Sequence, residues 1–332
     1  MTAPTQLAIV GLGRWGKVLV DAVQTTSPKV RFVTAVSRDP ARIDGDAKAR
    51  GLTAVATLAE ALADPAVEGV VLASPHSAHA GQIAQCIAAG RPVLVEKPFT
   101  LTKADAEAAL TAADEAGVLV TAAHNRRFLT PVVTLKEMIE AGALGTLLHI
   151  ETNFSSDMTG RYQAGHWRIA PGESPAGGLA GSGIHHIDGI IYLAGPIAEV
   201  FAVSCRRVHD VPLDDTTVVT MRLASGATAS LLMMTATAPT YRIVAYGTKG
   251  KAEINGDAAR RGSETMVVTL TDGSETRRAF EPFDIERAEV EAFAASIRGE
   301  APAQVTPADI VNGIAAFEAV PASAEAGRPI AL

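Results

Sequence analysis

Cysteine is nearly missing from this 332-residue chain. Only Cys86 and Cys205 occur, too far apart for metal-ligand spacing and too few for a disulfide framework, which is the usage of a reducing, cytoplasmic compartment. Long apolar runs are missing as well. Hydrophobic residues make up 48% of the chain and mean hydropathy is +0.19, yet no stretch approaches the roughly 20 residues that a membrane-spanning helix needs. The opening "MTAPTQLAIVGLG" has no basic segment before its short apolar run, so it reads as a first strand and not as a signal peptide. Positive charge is in deficit: a net charge of −7 and a pI near 5.6 give no clustered cationic surface for nucleic acid. What the chain has is length, enough for two cores and a well-filled interior.

The first ~120 residues alternate short β-branched runs with Ala-rich amphipathic segments, the pattern of a parallel sheet with crossover helices. Strands are predicted at 7–11, 31–37, 69–74, 92–96 and 119–123, with helices at 14–25, 40–50, 57–63, 78–89 and 103–116. Beyond Pro131 the pattern changes. A helix at 132–141 leads through "LLHIETNF" and a glycine-rich stretch to a run of strands: "VFAVSCRRV", "TTVVTMRL", "ATASLLMMTA", "RIVAYGT", "KAEING" and "TMVVTL". Two helices, near 284–298 and 307–326, close the chain. The expectation is an α/β domain over 1–123 and an α+β domain over 124–332, with no repeat, low-complexity segment or linker.

"IVGLGRWG" (9–16) places Gly11, Gly13 and Gly16, with Arg14 and Trp15 between them, directly after a strand and before a helix. In that context the first glycine serves a tight turn, the second lets the backbone approach a pyrophosphate, and the third permits close helix–strand packing. The second strand ends in Ser37-Arg38-Asp39. Ser37 and Arg38 suit a ribose 2′-phosphate and so NADP; the alternative is that Arg38 is a solvated turn residue and Asp39 takes the ribose hydroxyls of NAD.

The stretch "ASPHSAHAGQIAQCIAAGRPVLVEKPFTLTKADAEAAL" (73–110) resembles the glucose–fructose oxidoreductase and inositol dehydrogenase family, Gfo/Idh/MocA. The resemblance covers nearly the whole chain, including Glu96-Lys97-Pro98, "HNRRFLTP" (124–131), "GHWR" (165–168) and "ERAEVEAFAASIRG" (286–299). It implies an N-terminal Rossmann domain and a C-terminal α+β domain with an open, mostly antiparallel sheet, through which homodimers or homotetramers form. It also implies NAD(P)-dependent hydride transfer at a secondary hydroxyl of a sugar or cyclitol. Lys97 follows a buried-looking strand at the sheet end where such folds place ligands, and a positive nicotinamide nearby would disfavour its ammonium form. Ser74, Pro75 and His76 should pass the nicotinamide ribose. His79 opens the next helix, as a cap, a packing residue or a cofactor contact. Asn125, Arg126 and Arg127 lie where the chain crosses between domains; Asn125 is expected at the cofactor and Arg126 at the substrate, since an arginine there could reach either, while one of the two arginines is expected to form a structural salt bridge. His166, Trp167 and Arg168 suit either a polar pocket wall against the cofactor or ordinary packing.

"GLAGSGIHHID" (178–188) is read as the start of a helix over 182–194, between Gly181-Ser182-Gly183 and Gly195-Pro196. Ile184, Ile187 and Ile191 share a packing face, while His185, Asp188 and Tyr192 share another. His186 points about 100° from His185. Zinc would need a third ligand on that face, and no His-x-x-x-His or Cys pair supplies one; no metal is expected. The family resemblance makes His185 the acid/base partner of Lys97, with Asp188 as its carboxylate and His186 as a substrate neighbour. Many members carry an aspartate four residues before the histidine, and here that position is Gly181. The departure keeps a second reading open, a dinucleotide-binding sensor or assembly protein of the same fold without redox turnover.

Overall fold

The computed structural model describes residues 3–160, 163, 165–170, 172–257 and 260–332, the side chains of 260 and 261 excepted. The chain forms two compact units, Met1–Asn125 with Asp284–Ile310, and Arg126–Phe283 with Val311–Leu332.

The first unit alternates strand and helix. It runs β1 (Thr5–Val10), α1 (Arg14–Val23), β2 (Val30–Val36), α2 (Pro40–Ala49), β3 (Thr53–Val55) and α3 (Leu58–Ala63), then β4 (Gly69–Leu72), α4 (His79–Ala88), β5 (Val93–Glu96), α5 (Lys103–Ala116) and β6 (Val120–Ala123). The six strands pair in parallel in the order β3-β2-β1-β4-β5-β6. That order reverses between β1 and β4, and open sheets bind ligands in the crevice beyond the strand ends at such a reversal. β4, β5 and β6 are buried along their whole length, which is why they read as continuous apolar runs and not as alternating ones. Helix starts follow local chemistry: Asp39 accepts from Arg42 N–H with Pro40 at the first position of α2, and Thr57 and Thr102 cap α3 and α5.

The second unit begins with α6 (Thr130–Glu140) and β7 (Leu147–Asp157), then α7 (Gly183–Ala194). Next come β8 (Ile197–Cys205), β9 (Thr216–Leu223), β10 (Thr228–Met234), β11 (Ala236–Gly247), β12 (Gly250–Asp257), β13 (Arg260–Leu270) and β14 (Glu275–Ala279). After them come α8 (Ile285–Ile297), α9 (Pro307–Ala326) and β15 (Ile330–Ala331). Nine strands form one sheet in the order β14-β13-β12-β11-β7-β10-β9-β8-β15, antiparallel except where β10 runs parallel to β7. β9 alternates strictly, with Thr217, Val219, Met221 and Leu223 buried and Val218, Thr220 and Arg222 exposed; one face of this region is core and the other is open.

The sequence boundary at 123/124 is two residues from the first structural crossing, but α8 does not stay with the second unit. Val290, Phe293 and Ala294 of α8 join Leu7, Ile9, Leu19 and Phe32 in the first unit's core. Glu291 pairs with Lys29 at 3.2 Å, and Arg298 Nε donates to Thr5 Oγ1 at 2.8 Å. β3, β14 and β15 are additional to the predicted strands. Among the described residues no helix is long and apolar enough to cross a membrane.

Candidate active site

The nucleotide loop sits at the reversal of strand order. Gly11 N–H donates to Val36 O at 3.0 Å, and Ala73 N–H, just past β4, donates to Val10 O at 2.8 Å. Gly11 has φ +94°, and a Cβ there would lie 2.6 Å from Ala73 O; one on Gly16 would lie 2.0 Å from Gly11 O. Both positions therefore exclude side chains, the first by backbone conformation and strand proximity, the second by helix–loop contact. Gly13 differs: a Cβ there would meet nothing within 4 Å. It caps α1 without a side-chain hydrogen bond, and no acid stands in the first turn. Helix N–H groups thus face open space at a helix N-terminus, a donor set that fits a dinucleotide's pyrophosphate.

Glu96, the last residue of β5, links this loop to Lys97. Its carboxylate accepts from Trp15 Nε1 in the first turn of α1 and, at 3.2 Å, from Lys97 N–H. Burial pushes the Glu96 carboxyl above the usual range, opposed by the Lys97 charge and the Trp15 bond. Trp15 also packs against the core, so Glu96 is an internal strut more than a cofactor ligand. The Lys97-Pro98 peptide is cis, and Lys97 is half-buried. His79 is fully buried, its ring nitrogens 2.9 Å from Pro98 O and 3.2 Å from Ser74 O. Of the three roles open to it, this geometry favours packing: the imidazole fastens the segments after β4 and β5 together. Ser74 Oγ donates to Gln82 at 2.6 Å, and His76 is buried with its ring 6.1 Å from that of His79. Asn125 is tied to α8, donating from Nδ2 to Glu286 Oε1 at 3.1 Å.

At the end of β2, Ser37 Oγ accepts from Asp39 N–H at 3.3 Å, while Asp39 Oδ1 accepts from Arg42 N–H at 3.3 Å. The carboxylate that would serve a ribose diol is engaged as a helix cap. Arg38 is exposed and makes no ion pair among the described residues.

In the second unit α7 carries the histidines. Ile184, Ile187 and Ile191 are buried as their spacing predicted. Cβ atoms on Gly178 or Gly183 would come within 3.1 Å of the Met233 sulfur, so the glycine-rich run lets this segment close onto β10. His185 is half-buried, its ring 6.0 Å from that of Phe154. Two neighbours depart from expectation. The Asp188 carboxylate accepts from Arg127 Nε at 3.1 Å on both oxygens and from Nη2 at 2.7 Å, with both residues buried. It serves as the counter-ion that fixes α7 to the segment carrying Arg127, an ion pair that engages the carboxylate expected to serve His185. His186 is 1% exposed, packed 5.4 Å from Phe154 and 5.3 Å from Tyr241 between ring centroids. The 100° step from His185 turns it into the core, between the Phe154 and Tyr241 rings. Burial first, and the Arg126 charge second, push its pKa down to about 3.

His166 and Trp167 stack at 6.0 Å, and the Arg168 guanidinium lies 4.3 Å over the Trp167 ring. Burial and Arg168 both lower the His166 pKa. Sequence reasoning missed Phe154 and Tyr241, which frame Arg126 and His186; on alternating strands both look like ordinary core residues.

A family model described as an oxidoreductase family with an NAD-binding Rossmann fold matches residues 5–124, and one for the GFO/IDH/MocA C-terminal domain matches residues 132–253. Scyllo-inositol 2-dehydrogenase (NADP(+)) of Bacillus subtilis is 34% identical over 161 residues, 47% of this chain but only 43% of that protein. D-xylose 1-dehydrogenase (NADP(+)) 2 of Haloferax volcanii is 28% identical over 331 residues, 98% of each chain. A solved structure, described as that of a candidate NADPH-dependent oxidoreductase from Desulfitobacterium hafniense, superposes with a TM-score of 0.93 at 28% identity, covering 100% of this chain and 98% of that one. With matching models for both halves and a shared fold throughout, the chain belongs to the GFO/IDH/MocA oxidoreductase family.

Proposed function

We propose that this protein is an NAD(P)-dependent oxidoreductase acting on a secondary alcohol or ketone of a sugar, cyclitol or related polyhydroxy compound. The observation that carries the reading is the strut at Glu96, which ties the phosphate-binding turn of α1 to the backbone of Lys97. A nicotinamide cofactor, when bound, supplies the hydride acceptor or donor. Oxidising an alcohol also releases the hydroxyl proton, so a side chain must take it, and Lys97 and His185 are assigned that task. Lys97 takes the proton on its side-chain amine. His185 is assigned as the substrate-contacting acid/base of the second unit. Trp167 and Arg168, stacked on one another, are assigned as cofactor contacts. Arg38 and Ser37 favour NADP, and the open face of the nine-stranded sheet is the surface on which homodimers or homotetramers form.

The test is Lys97→Met, assayed with neutral and acidic sugars, cyclitols and their ketones by nicotinamide absorbance. Turnover should fall about 10²–10⁴-fold, the range for losing a general acid/base, while cofactor affinity stays within a few-fold. Turnover near the wild-type rate in this variant sinks the assignment of Lys97.

A further inference from the structure

Arg126 and Arg127 are adjacent in sequence and opposite in circumstance. Arg127 is buried and neutralised by Asp188. Arg126 is half-buried, and among the described residues it forms no ion pair with a carboxylate. Its Nε is shielded from solvent and has no hydrogen-bond partner. The guanidinium carbon lies 5.5 Å from the ring centroids of both Phe154 and Tyr241. Of the neighbours that titrate, burial pushes the Tyr241 phenol up to about 12 and His186 down to about 3, and the buried Glu264 carboxylate acts on Tyr241 without pairing with Arg126. His186 itself has both ring nitrogens unpartnered among the described residues.

A guanidinium is always charged, and two ring faces hold its plane without satisfying its N–H donors. Cation–π contact offsets only part of the cost of taking the charge out of water. A planar anion offered to the fork would satisfy the charge and the donors together, in bidentate geometry. The place also matters. The Phe154 ring centroid lies 5.5 Å from the Arg126 guanidinium carbon and 6.0 Å from the His185 ring centroid, so one aromatic ring separates the fork from the imidazole assigned to the reacting hydroxyl.

We propose that Arg126 is a specificity-determining residue that binds a carboxylate on the substrate, making the substrate a uronic or aldonic acid and not a neutral sugar or cyclitol. This rests on the oxidoreductase reading above. The rings hold the fork ready in one plane, so little entropy is lost when the carboxylate docks.

The experiment compares D-glucuronate with D-glucose, and D-galacturonate with D-galactose, with D-glucose 6-phosphate as a phosphate arm. The expected result is a KM for the acids at least about tenfold below that of the neutral sugars, the value of one charge-assisted contact. Added salt should weaken the acids' advantage. Arg126→Met should bring the acid-to-neutral ratio near one with NADP affinity kept, and Arg126→Lys, which keeps charge but loses the fork, should fall between. Equal KM values in the wild type overturn the proposal, as does a ratio that survives in a folded Arg126→Met. Preference for the phosphate arm overturns the carboxylate, and lost NADP affinity with an intact ratio assigns Arg126 to the cofactor. If no sugar or polyol turns over, the oxidoreductase reading fails instead. Thermal shift of the wild-type NADP complex by glucuronate against glucose then still decides the anion site.

Discussion

At the scale of single residues, sequence named the chemistry but not its allocation. "HNRRF" offered two arginines and the helix two histidines, and nothing local says which of each pair is spent inside the fold. Arg127 goes to Asp188 and His186 to Phe154 and Tyr241 because of contacts 32 to 61 positions away in sequence, which no spacing rule reports. His186 carries a pH consequence. The folded chain takes a proton there only near pH 3, whereas an unfolded histidine takes one near 6.5. Between those values the unfolded chain binds more protons, so this residue's contribution leaves stability intact above about 6.5 and erodes it as pH falls. His186→Phe, similar in shape and without titration, should therefore gain on the wild type in urea midpoint between pH 7.5 and 4.5; an unchanged difference at the two pH values refutes the account. Arg38 is the second residue-scale case. With Asp39 used as a cap, Arg38→Asp should turn the cofactor preference, in kcat/KM, toward NAD by about tenfold or more, since a charge-assisted contact to a 2′-phosphate is exchanged for repulsion. A preference that does not move would return the ribose to Asp39.

At the scale of elements, the sequence was far more legible. Helices predicted at 40–50, 57–63, 103–116 and 182–194 form at Pro40–Ala49, Leu58–Ala63, Lys103–Ala116 and Gly183–Ala194. Their ends are set by caps and glycines that act within a turn, so local sequence suffices. The additional strands fail that condition. β3 has three residues and β15 two, while all five residues of β14 are exposed; their pairing depends on a neighbour strand and not on a buried face of their own. α8 was visible as a helix, but its destination was not, because an amphipathic pattern says that a face is buried without naming the core that buries it. The ion pair between Arg127 and Asp188 belongs here too. It joins the turn before α6 to the middle of α7, and so sets the position of the helix that carries His185.

At the scale of the molecule, the nine-stranded sheet poses a problem of coverage. Register places Phe201 opposite Thr220 and Val203 opposite Val218 on one face, with Val218 opposite Leu232 on the next strand. Their strand neighbours Val200, Ala202 and Val219 are buried on the other face. Val203 is 56% exposed and Val218 40%, with Phe201 at 36%. Farther along the same face Arg242 bonds to both Glu151 and Glu253. An apolar area bordered by a satisfied polar network is the composition of an interface core and its rim, and a flat sheet face can meet a second copy of itself about a twofold axis. The assembly proposed above should therefore depend on the Val203–Val218 cross-strand pair. Changing Val203→Glu together with Val218→Lys keeps an attractive pair within the sheet, so the fold is spared, while burying those charges at a subunit contact becomes costly. Light scattering after gel filtration should give a multiple of the 34.4 kDa chain mass for the wild type and the single-chain mass for the double variant. A monomeric wild type, or a double variant that still assembles with native circular dichroism, would remove this face from the interface; loss of assembly with fold intact would place the subunit contact on the open side of the sheet, opposite the face that α7 packs against.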